Sequence, residues 1–300
     1  MVAVAAPAPN RVRAFMRLVM IEHSIFALPF AYVAALAAMR LDGGHVQWGT
    51  LALITLAMVS ARTVAMAANR IIDRRIDAQN PRTANRELIT GAVSMRTAWV
   101  GLLVSLAVFE GAAAALNPLC LVLSPIALFL LVIYSYAKRF TNYPQFFLAA
   151  AQAVAPVGAW IGVTGEWSWP AFVLGIAVGT WIGGFDCIYA VQDLDADRRI
   201  GVGSVPVKHG VRGALIISAV THVVTVAFYV WFGLLADLGW LWLTGVAITA
   251  IVLVYEHSIV KPTDLSRVNR AFFTANGVIG IVLFVFALLD LAALQGLSWR

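Results

Sequence analysis

The sequence is poor in charge and almost free of cysteine. Only 12% of its 300 residues are charged and 61% are apolar, whereas about a quarter of the residues of a soluble domain are charged. The two cysteines, Cys120 and Cys187, lie in separate apolar stretches, which favours small buried residues over a zinc cluster or a disulfide framework. The sequence also has no Walker loop, dinucleotide fingerprint, nucleophile elbow or His/Cys metal spacing. These absences exclude a soluble nucleotide-binding or metallohydrolase domain.

Apolar stretches near 20 residues recur along the whole chain, and each is long enough to cross a hydrocarbon core of about 30 Å. We therefore predict an all-α, polytopic integral membrane protein with nine transmembrane helices, forming a single domain over residues 1–300. The Ala- and Pro-rich residues 1–10 are expected to be disordered. The nine predicted spans are residues 17–39, 50–69, 97–116, 119–137, 145–164, 170–191, 212–234, 238–257 and 271–294.

Basic residues are concentrated on one side of the predicted topology. All but three of the 21 lysines and arginines fall on the side that holds the N-terminus, the exceptions being Arg40, Arg62 and Arg300. Basic loops face the cytoplasm, so we expect a multi-pass protein of the cell membrane with a cytoplasmic N-terminus and an outside C-terminus. The long loops 70–96 and 192–211 are then cytoplasmic too. No basic stripe with interleaved aromatics is present, so nucleic-acid binding is not expected.

Two acidic clusters stand out at the ends of apolar stretches. On a helix, Asn69, Asp73 and Asp77 are spaced by four residues and share one face, about 6 Å apart per step. In the second cluster Asp193 and Asp197 share a face, whereas Asp195 points about 200° away. Carboxylates that converge at a membrane boundary suggest Mg²⁺, which prefers one or two carboxylates together with substrate phosphates. Solvated helix ends are the alternative interpretation of each cluster alone.

Arginines and a deeper aspartate accompany the clusters. Arg82 and Arg86 share a face if their segment is helical, and their guanidinium groups match phosphate oxygens; anchoring to anionic lipid is the alternative. Asp186 lies seven residues before Asp193, on the same face and about 10 Å deeper. An ionisable residue inside a membrane helix indicates a functional role, such as orienting or deprotonating an acceptor hydroxyl, although a structural hydrogen bond would also explain it.

A further basic and aromatic group follows the fourth span. Lys138 and Arg139 could bind a diphosphate and the carboxylate of an acceptor, and the aromatic face of Tyr134 could stabilise a carbocation. An interfacial aromatic belt with cations that reach the lipid surface explains the same residues. We assign Lys138 to the donor and Arg139 to the acceptor, because the arginine fork matches a carboxylate. His23, near the start of the first span, is the next candidate cation for the acceptor.

Two motifs resemble a known family. Asn69-x-x-x-Asp73-x-x-x-Asp77, with Asn80-Pro81-Arg82-Thr83-x-Asn85-Arg86, resembles the first signature of the UbiA superfamily of intramembrane aromatic prenyltransferases. Asp186-x-x-Tyr189-Ala190-x-x-Asp193-x-x-x-Asp197 resembles the second. Arg70 stands where the family usually has an aspartate.

The resemblance implies nine helices around a central cavity in which the aspartates hold Mg²⁺ on a polyprenyl diphosphate. It assigns the catalytic positions to Asp73, Asp77, Asp186, Asp193 and Asp197, and places Asn69 and Tyr189 at the substrate. Residues 21–30 look most like the branch that prenylates a dihydroxynaphthoate in the futalosine route to menaquinone. The 4-hydroxybenzoate branch of ubiquinone synthesis is the alternative acceptor class.

Two other function classes fit a polytopic membrane protein. A transporter also uses intramembrane acids, but it places them near the bilayer midplane, whereas these clusters lie at one end of the spans. A non-catalytic scaffold for quinone-pathway enzymes would tolerate degraded motifs, whereas the aspartates here are intact.

Overall fold

The computed structural model describes residues 11–19 and 28–299, with side chains described from residue 15 onward in the first segment. Residues 1–10, predicted to be disordered, and His23, a candidate cation for the acceptor, lie outside the described residues. The described chain is helical throughout, with short turns between the helices. In chain order the helices are α1 (Arg11–Leu18), α2 (Leu28–Asp42), α3 (Trp48–Asp77), α4 (Glu87–Thr90), α5 (Met95–Leu116), α6 (Pro118–Ala137), α7 (Pro144–Thr164), α8 (Trp169–Tyr189), α9 (Leu194–Ile200), α10 (Val205–Leu235), α11 (Trp240–Ile259), α12 (Val268–Arg270) and α13 (Asn276–Leu289).

Eight of the described helical stretches are long and apolar enough to cross a membrane. They correspond to the second to ninth predicted spans, and α2 is the described part of the first. Large apolar side chains such as Val122, Phe129 and Val223 are exposed on the outward faces, where lipid rather than water would cover them. The protein is thus a polytopic helical membrane protein, as predicted from its composition.

The two predicted long loops both contain helical segments. Residues 70–77 form the last two turns of α3, and α4 lies within the remainder of the first loop. In the second loop a 3₁₀ turn over Ala190–Asp193 leads into α9, and α10 begins at residue 205 rather than 212. Gly210 bends α10 with φ of 70°, a conformation that glycine adopts without steric cost. These helical turns consist largely of polar and charged residues, so a prediction based on the length of apolar stretches does not detect them.

Small residues bring α7 and α8 into close contact. A Cβ atom on Gly179 would lie 2.7 Å from the carbonyl oxygen of Ala149, and one on Gly175 would lie 2.8 Å from that of Ala153. Glycines four residues apart present one flat face, which lets two membrane helices approach closely. Close packing of α8 on α7 fixes the position of the second motif at the end of α8.

An aromatic core lies between α2, α8, α10 and α11. The Phe30 ring lies 5.0 Å from that of Trp181 and stacks on Tyr229 at 6.0 Å, and the Trp242 ring meets Tyr229 edge-on. All four side chains are fully or almost fully buried. This core fills one half of the bundle, and the other half encloses a cavity.

Candidate active site

A cavity of about 1020 Å³ extends through the bundle, lined by α3, α5, α6, α7 and α8. Its lining is strongly polar at one end, which we call the acidic end: the end of the bundle where α3 and α8 finish with Asp77 and Tyr189. Toward the opposite end, which we call the far end, the lining is mainly apolar, with residues such as Leu116, Leu123 and Ile161. The cavity is therefore divided into a charged part and a long apolar part.

The first motif occupies the last turns of α3. Asp73 and Asp77 are 2% and 5% exposed, and Asn69, Asp73 and Asp77 all line the cavity, as their helical spacing predicts. The Asn69 amide donates to Asp73 Oδ2 at 2.9 Å. Lys138 Nζ lies 2.7 Å from the same oxygen. Asp73 is thus held between an amide and a cation at the cavity wall.

The segment after α3 folds across the acidic end. Arg86 forms an ion pair with Asp77, and Asn80 Nδ2 donates to Asp193 Oδ1 at 2.8 Å. Arg82 reaches the same carboxylate, with Nε donating to Asp193 Oδ1 at 2.8 Å. Residues 78–86 form successive turns instead of the helix considered from the sequence. Both arginines nevertheless line the cavity. Arg82 pairs with Asp193 and Arg86 with Asp77, and both aspartates belong to the cavity wall.

The Arg82 guanidinium connects the two motifs. Burial lowers its pKa, but the hydrogen bond and the negative charge of Asp193 outweigh burial, so the pKa lies above the ordinary value for arginine. Arg82 therefore remains a cation at any physiological pH. Its NH1 group also donates to the Tyr189 hydroxyl at 3.2 Å, and its guanidinium lies 5.1 Å from the centre of the Tyr189 ring.

The second motif surrounds the 3₁₀ turn that follows α8. Asp186, Asp193 and Asp197 line the cavity, whereas Asp195 is exposed and does not. Within the part of the chain that the structure describes, the Asp186 carboxylate has no hydrogen bond or ion pair. It is thus free to accept a proton or a hydrogen bond from a molecule in the cavity.

An aromatic wall lies beside Asp186. The rings of Tyr189 and Phe272 are 4.1 Å apart, Phe185 meets Phe272 edge-on at 5.1 Å, and all three line the cavity. Tyr134 lines the cavity from α6, one turn from Lys138. Aromatic faces that surround the boundary between the charged and apolar parts are suited to a cation that forms there.

The sequence profile of the UbiA prenyltransferase family matches residues 27–289 of this chain. The chain belongs to the UbiA prenyltransferase family. The match covers all helices from α2 to α13 and therefore both acidic motifs. It confirms the resemblance that the motifs showed and the transferase class that the resemblance implies.

Relatives with assigned names are similar along most of their length. The 4-hydroxybenzoate octaprenyltransferase of Xanthomonas euvesicatoria pv. vesicatoria is 33% identical over 282 residues, which are 92% of this chain and 91% of that protein. The protein of the same name from Vibrio parahaemolyticus is 30% identical over 277 residues, 92% of this chain and 96% of that one.

Solved UbiA structures share the fold. The apo structure of a UbiA homolog from Aeropyrum pernix is 34% identical, with a TM-score of 0.82, covering 90% of this chain and 98% of that one. A UbiA homolog from Archaeoglobus fulgidus, solved bound to GPP and Mg²⁺, is 19% identical with a TM-score of 0.72, covering 93% of this chain and 100% of that one.

The donor atoms of this UbiA chain fit a divalent cation that is shared with a substrate. Among the described residues no group of three or more His, Cys, Asp or Glu side chains is arranged to hold a metal by itself. Asp73 with Asp77, and Asp193 with Asp197, instead offer two pairs of carboxylates on facing walls of one cavity. Oxygen ligands of this number suit Mg²⁺, which completes its coordination with water and phosphate oxygens.

Arg139 does not line the cavity. Its NH1 group donates to Asp73 Oδ1 at 2.9 Å, and its NH2 group donates to the backbone carbonyl of Ile72 at 2.8 Å. The guanidinium also lies over the Tyr136 ring at 5.4 Å. The structure therefore brings Lys138 to the cavity and Arg139 to the outer side of Asp73.

Arg62 on α3 is a cavity residue to which the sequence analysis gave no role. It lines the cavity seven residues before Asn69, on the same helix face and about 10 Å farther from the acidic end. Its Nε atom is buried without a hydrogen-bond partner in the described chain, and no described acid forms an ion pair with it. The signal was available, because an arginine within an apolar span is costly unless it faces a cavity.

Proposed function

We propose that this protein transfers the polyprenyl group of a polyprenyl diphosphate to an aromatic carboxylate, with Mg²⁺ as its cofactor. The observation that carries the proposal is the division of one intramembrane cavity into an acidic end and an apolar remainder. A polyprenyl diphosphate has the same division, since a polyanionic head is joined to a hydrocarbon tail. The tail also explains why such an enzyme is a bundle of membrane helices.

The acidic end would bind the diphosphate. Carboxylates alone repel a polyanion, so Asp73, Asp77, Asp193 and Asp197 hold the metal, and Arg82, Arg86 and Lys138 contact phosphate oxygens directly. Mg²⁺, when bound, supplies positive charge that stabilises the diphosphate as it departs. The relative from Archaeoglobus fulgidus, which was solved with GPP and Mg²⁺, supports this assignment.

The reaction requires an allylic cation and an electron-rich ring. The bond between the allylic carbon and the diphosphate oxygen breaks, and its electron pair leaves with the diphosphate, whose growing charge is stabilised by the arginines. The faces of Tyr189 and Phe272 stabilise the allylic cation. The ring carbon next to a hydroxyl supplies the electrons of the new carbon–carbon bond. The proton of that ring carbon passes to Asp186, whose carboxylate is unpartnered within the described chain.

Arg62 takes the place of Arg139 as the cation for the acceptor carboxylate. The hydroxyl that activates the ring must lie near the allylic carbon, so the carboxylate points away from the diphosphate. Arg62 lies in that direction, about 16 Å along α3 from Asp73, and its guanidinium has no described ion-pair partner. An anion in a low-dielectric cavity needs such a partner, because an unpaired charge there is strongly destabilised.

A dihydroxynaphthoate is our first candidate for the acceptor, on the resemblance of residues 21–30 to the enzymes of the futalosine route. The second candidate is 4-hydroxybenzoate, which the names of the relatives at 33% and 30% identity favour. Both molecules carry a carboxylate and a ring hydroxyl, so the same site residues serve either one. The transporter alternative is weaker, because the charges gather at one end of the cavity.

A reconstituted assay tests the proposal. Purified protein in lipid vesicles receives a radiolabelled polyprenyl diphosphate, Mg²⁺, and equal concentrations of a dihydroxynaphthoate and 4-hydroxybenzoate. We expect label on one of the two acids, and no product in excess EDTA. Undiminished turnover in EDTA would refute the metal-dependent mechanism, and the absence of transfer to any aromatic acid would refute the function.

The acceptor assignment of Arg62 is tested by kinetics. Arg62→Ala should raise the acceptor KM about tenfold or more, as expected for the loss of a charged hydrogen bond, with the donor KM nearly unchanged. Arg17→Ala, at an exposed residue of α1, serves as the control. An effect of Arg62→Ala on the donor KM alone would assign Arg62 to the diphosphate.

A further inference from the structure

Gln152 is a second unpartnered polar group inside the apolar part of the cavity. It lies on α7, eight residues or about 12 Å from the first residue of that helix, and it is one of the residues that line the cavity. No residue in the described ranges forms a hydrogen bond with its amide. A side-chain amide within a membrane helix usually bonds to a neighbouring helix, and leaving it unpaired in an apolar medium is unfavourable. A ligand in the cavity would provide the missing partner.

Gln152 and Arg62 lie at the same depth on two walls. The helices α3 and α7 are antiparallel, and Ile54 contacts Gly162, whose Cβ position would be 3.4 Å from Ile54 Cγ1. Eight residues toward the acidic end, about 12 Å, bring α3 to Arg62 and α7 to Val154. Gln152 is two residues beyond, a difference of about 3 Å.

We propose that Gln152 is a specificity-determining residue, whose amide N–H donates to one carboxylate oxygen of the acceptor while Arg62 pairs with the other. This inference rests on the proposed function and extends it. A carboxylate has two oxygens and about four acceptor sites, so a single guanidinium leaves part of it without partners. A neutral donor on α7 completes the site without adding charge, because the positive charge of Arg62 already balances the negative charge of the acceptor.

The other parts of the substrates fit Gln152 less well. A prenyl tail has no hydrogen-bonding atoms, and the diphosphate lies with the aspartates at the acidic end. The reacting hydroxyl belongs near Asp186. Gly183 of α8 approaches Ala149 of α7, which places Asp186 level with Phe146 and about 9 Å from the depth of Gln152.

Two substitutions separate a carboxylate contact from a structural role. Gln152→Leu removes the donor at similar size and should raise the acceptor KM about tenfold, as expected for a hydrogen bond to a charged group. Gln152→Glu should raise it more, because the new carboxylate repels the acceptor and pairs with Arg62. The donor KM should stay within about twofold of wild type in both variants, which corresponds to less than about 0.5 kcal/mol.

The second readout is the phenol that lacks the carboxylate. Full-length wild type and both variants are compared with the acid and with the phenol in the same preparations, and binding of each acceptor is also measured by calorimetry without donor. The phenol should bind all three proteins equally, so only the acid distinguishes them. Gln79→Leu is the matched control, because Gln79 is exposed and does not line the cavity, and its side chain donates to the Arg75 carbonyl.

The outcomes are distinct. If wild type prenylates an aromatic acid but both variants keep its KM, the Gln152 proposal is overturned and the proposed function stands. A loss that the acid and the phenol share also overturns it, because the defect is then structural. If Gln152→Leu is unstable, Gln152→Met, which also lacks the amide donor, replaces it under the same comparison. If wild type transfers to no aromatic acid, the proposed function itself fails, and calorimetry then shows whether the acid binds.

Discussion

Asp73 is the aspartate of the acidic end that has three polar side chains as partners. Its carboxylate meets Asn69, Lys138 and Arg139, and only 2% of it is exposed. Three positive or donor groups around one carboxylate fix its position in the cavity wall. The same spacing that places Asp73 on the cavity face places Asp77 one turn further, beside Arg86.

Asp73→Asn should reduce prenyl transfer on the order of 10²-fold or more, the usual cost of removing a key electrostatic group. Initial rates at saturating substrates and Mg²⁺ measure the effect. Asp195→Asn is the control, since Asp195 is exposed and does not line the cavity, and it should retain most of the activity. Equal losses in the two variants would contradict the assignment of the metal site.

Arg139→Gln should act on the donor rather than on the acceptor. The substitution removes a charged hydrogen bond to Asp73 and the link to the Ile72 carbonyl, which we expect to raise the diphosphate KM about tenfold. The acceptor KM should hardly change, because Arg139 does not line the cavity. Varying each substrate in turn distinguishes the two effects. A rise in the acceptor KM alone would support the original assignment of Arg139 to the carboxylate of the acceptor.

At the scale of whole elements, packing of α8 on α7 decides where the second motif lies. The glycine face of α8 approaches backbone atoms of α7 so closely that no Cβ fits at Gly179. Interiors packed to this density have no space to absorb a methyl group. The polar end of the cavity, which needs α8 opposite α3, depends on this close contact.

Gly179→Ala should therefore destabilise the protein by about 1–3 kcal/mol, the usual cost of overpacking a tight interior. Gly111→Ala is the matched control, since no atom lies within 4 Å of the Cβ position at Gly111 of α5. There the better helix propensity of alanine should be neutral or stabilising by up to about 1 kcal/mol. Thermal unfolding in detergent compares the two, and an equal effect on Tm would argue against the close helix contact.

A second element, the π-helical turn over residues 271–275, supports the aromatic wall. The Asn276 amide donates to the carbonyls of Ala271 and Phe272 at 3.3 and 3.1 Å, and its oxygen accepts from Trp181 Nε1 at 2.7 Å. A side chain that satisfies carbonyls in an irregular turn allows the turn to persist in an apolar setting. Phe272 is thereby held against Tyr189 at the cavity.

At the scale of the whole molecule, one side of the membrane should hold the acidic end and all the long basic segments. We expect that side to be the cytoplasm. A single cysteine at Ser266, on the acidic side, or at Glu166, on the far side, is exposed and can be labelled in a Cys120→Ala, Cys187→Ala background. An impermeant maleimide added to whole cells should label only Glu166→Cys. Labelling of Ser266→Cys instead would reverse the proposed topology.

Much of this architecture follows from the sequence, because a helix in lipid must satisfy its own backbone hydrogen bonds. Length and apolarity were sufficient to predict the spans from α3 to α13. Spacing by four residues was sufficient to place Asn69, Asp73 and Asp77 on one face. Neither rule predicts the structure of polar segments, and the predicted loops contain helical turns that belong to α3, α9 and α10.

Contacts between distant segments were decided only by the tertiary structure. Helix spacing cannot show that Arg82 reaches Asp193, 111 residues away, or that Arg139 turns to the outside of Asp73. It also cannot show that Arg62 and Gln152 line one cavity at a similar depth. The sequence by itself determined which residues share the face of each helix. The rotation and height of one helix against another depend on side-chain packing such as that of α8 on α7, and that packing decided which faces enclose the cavity.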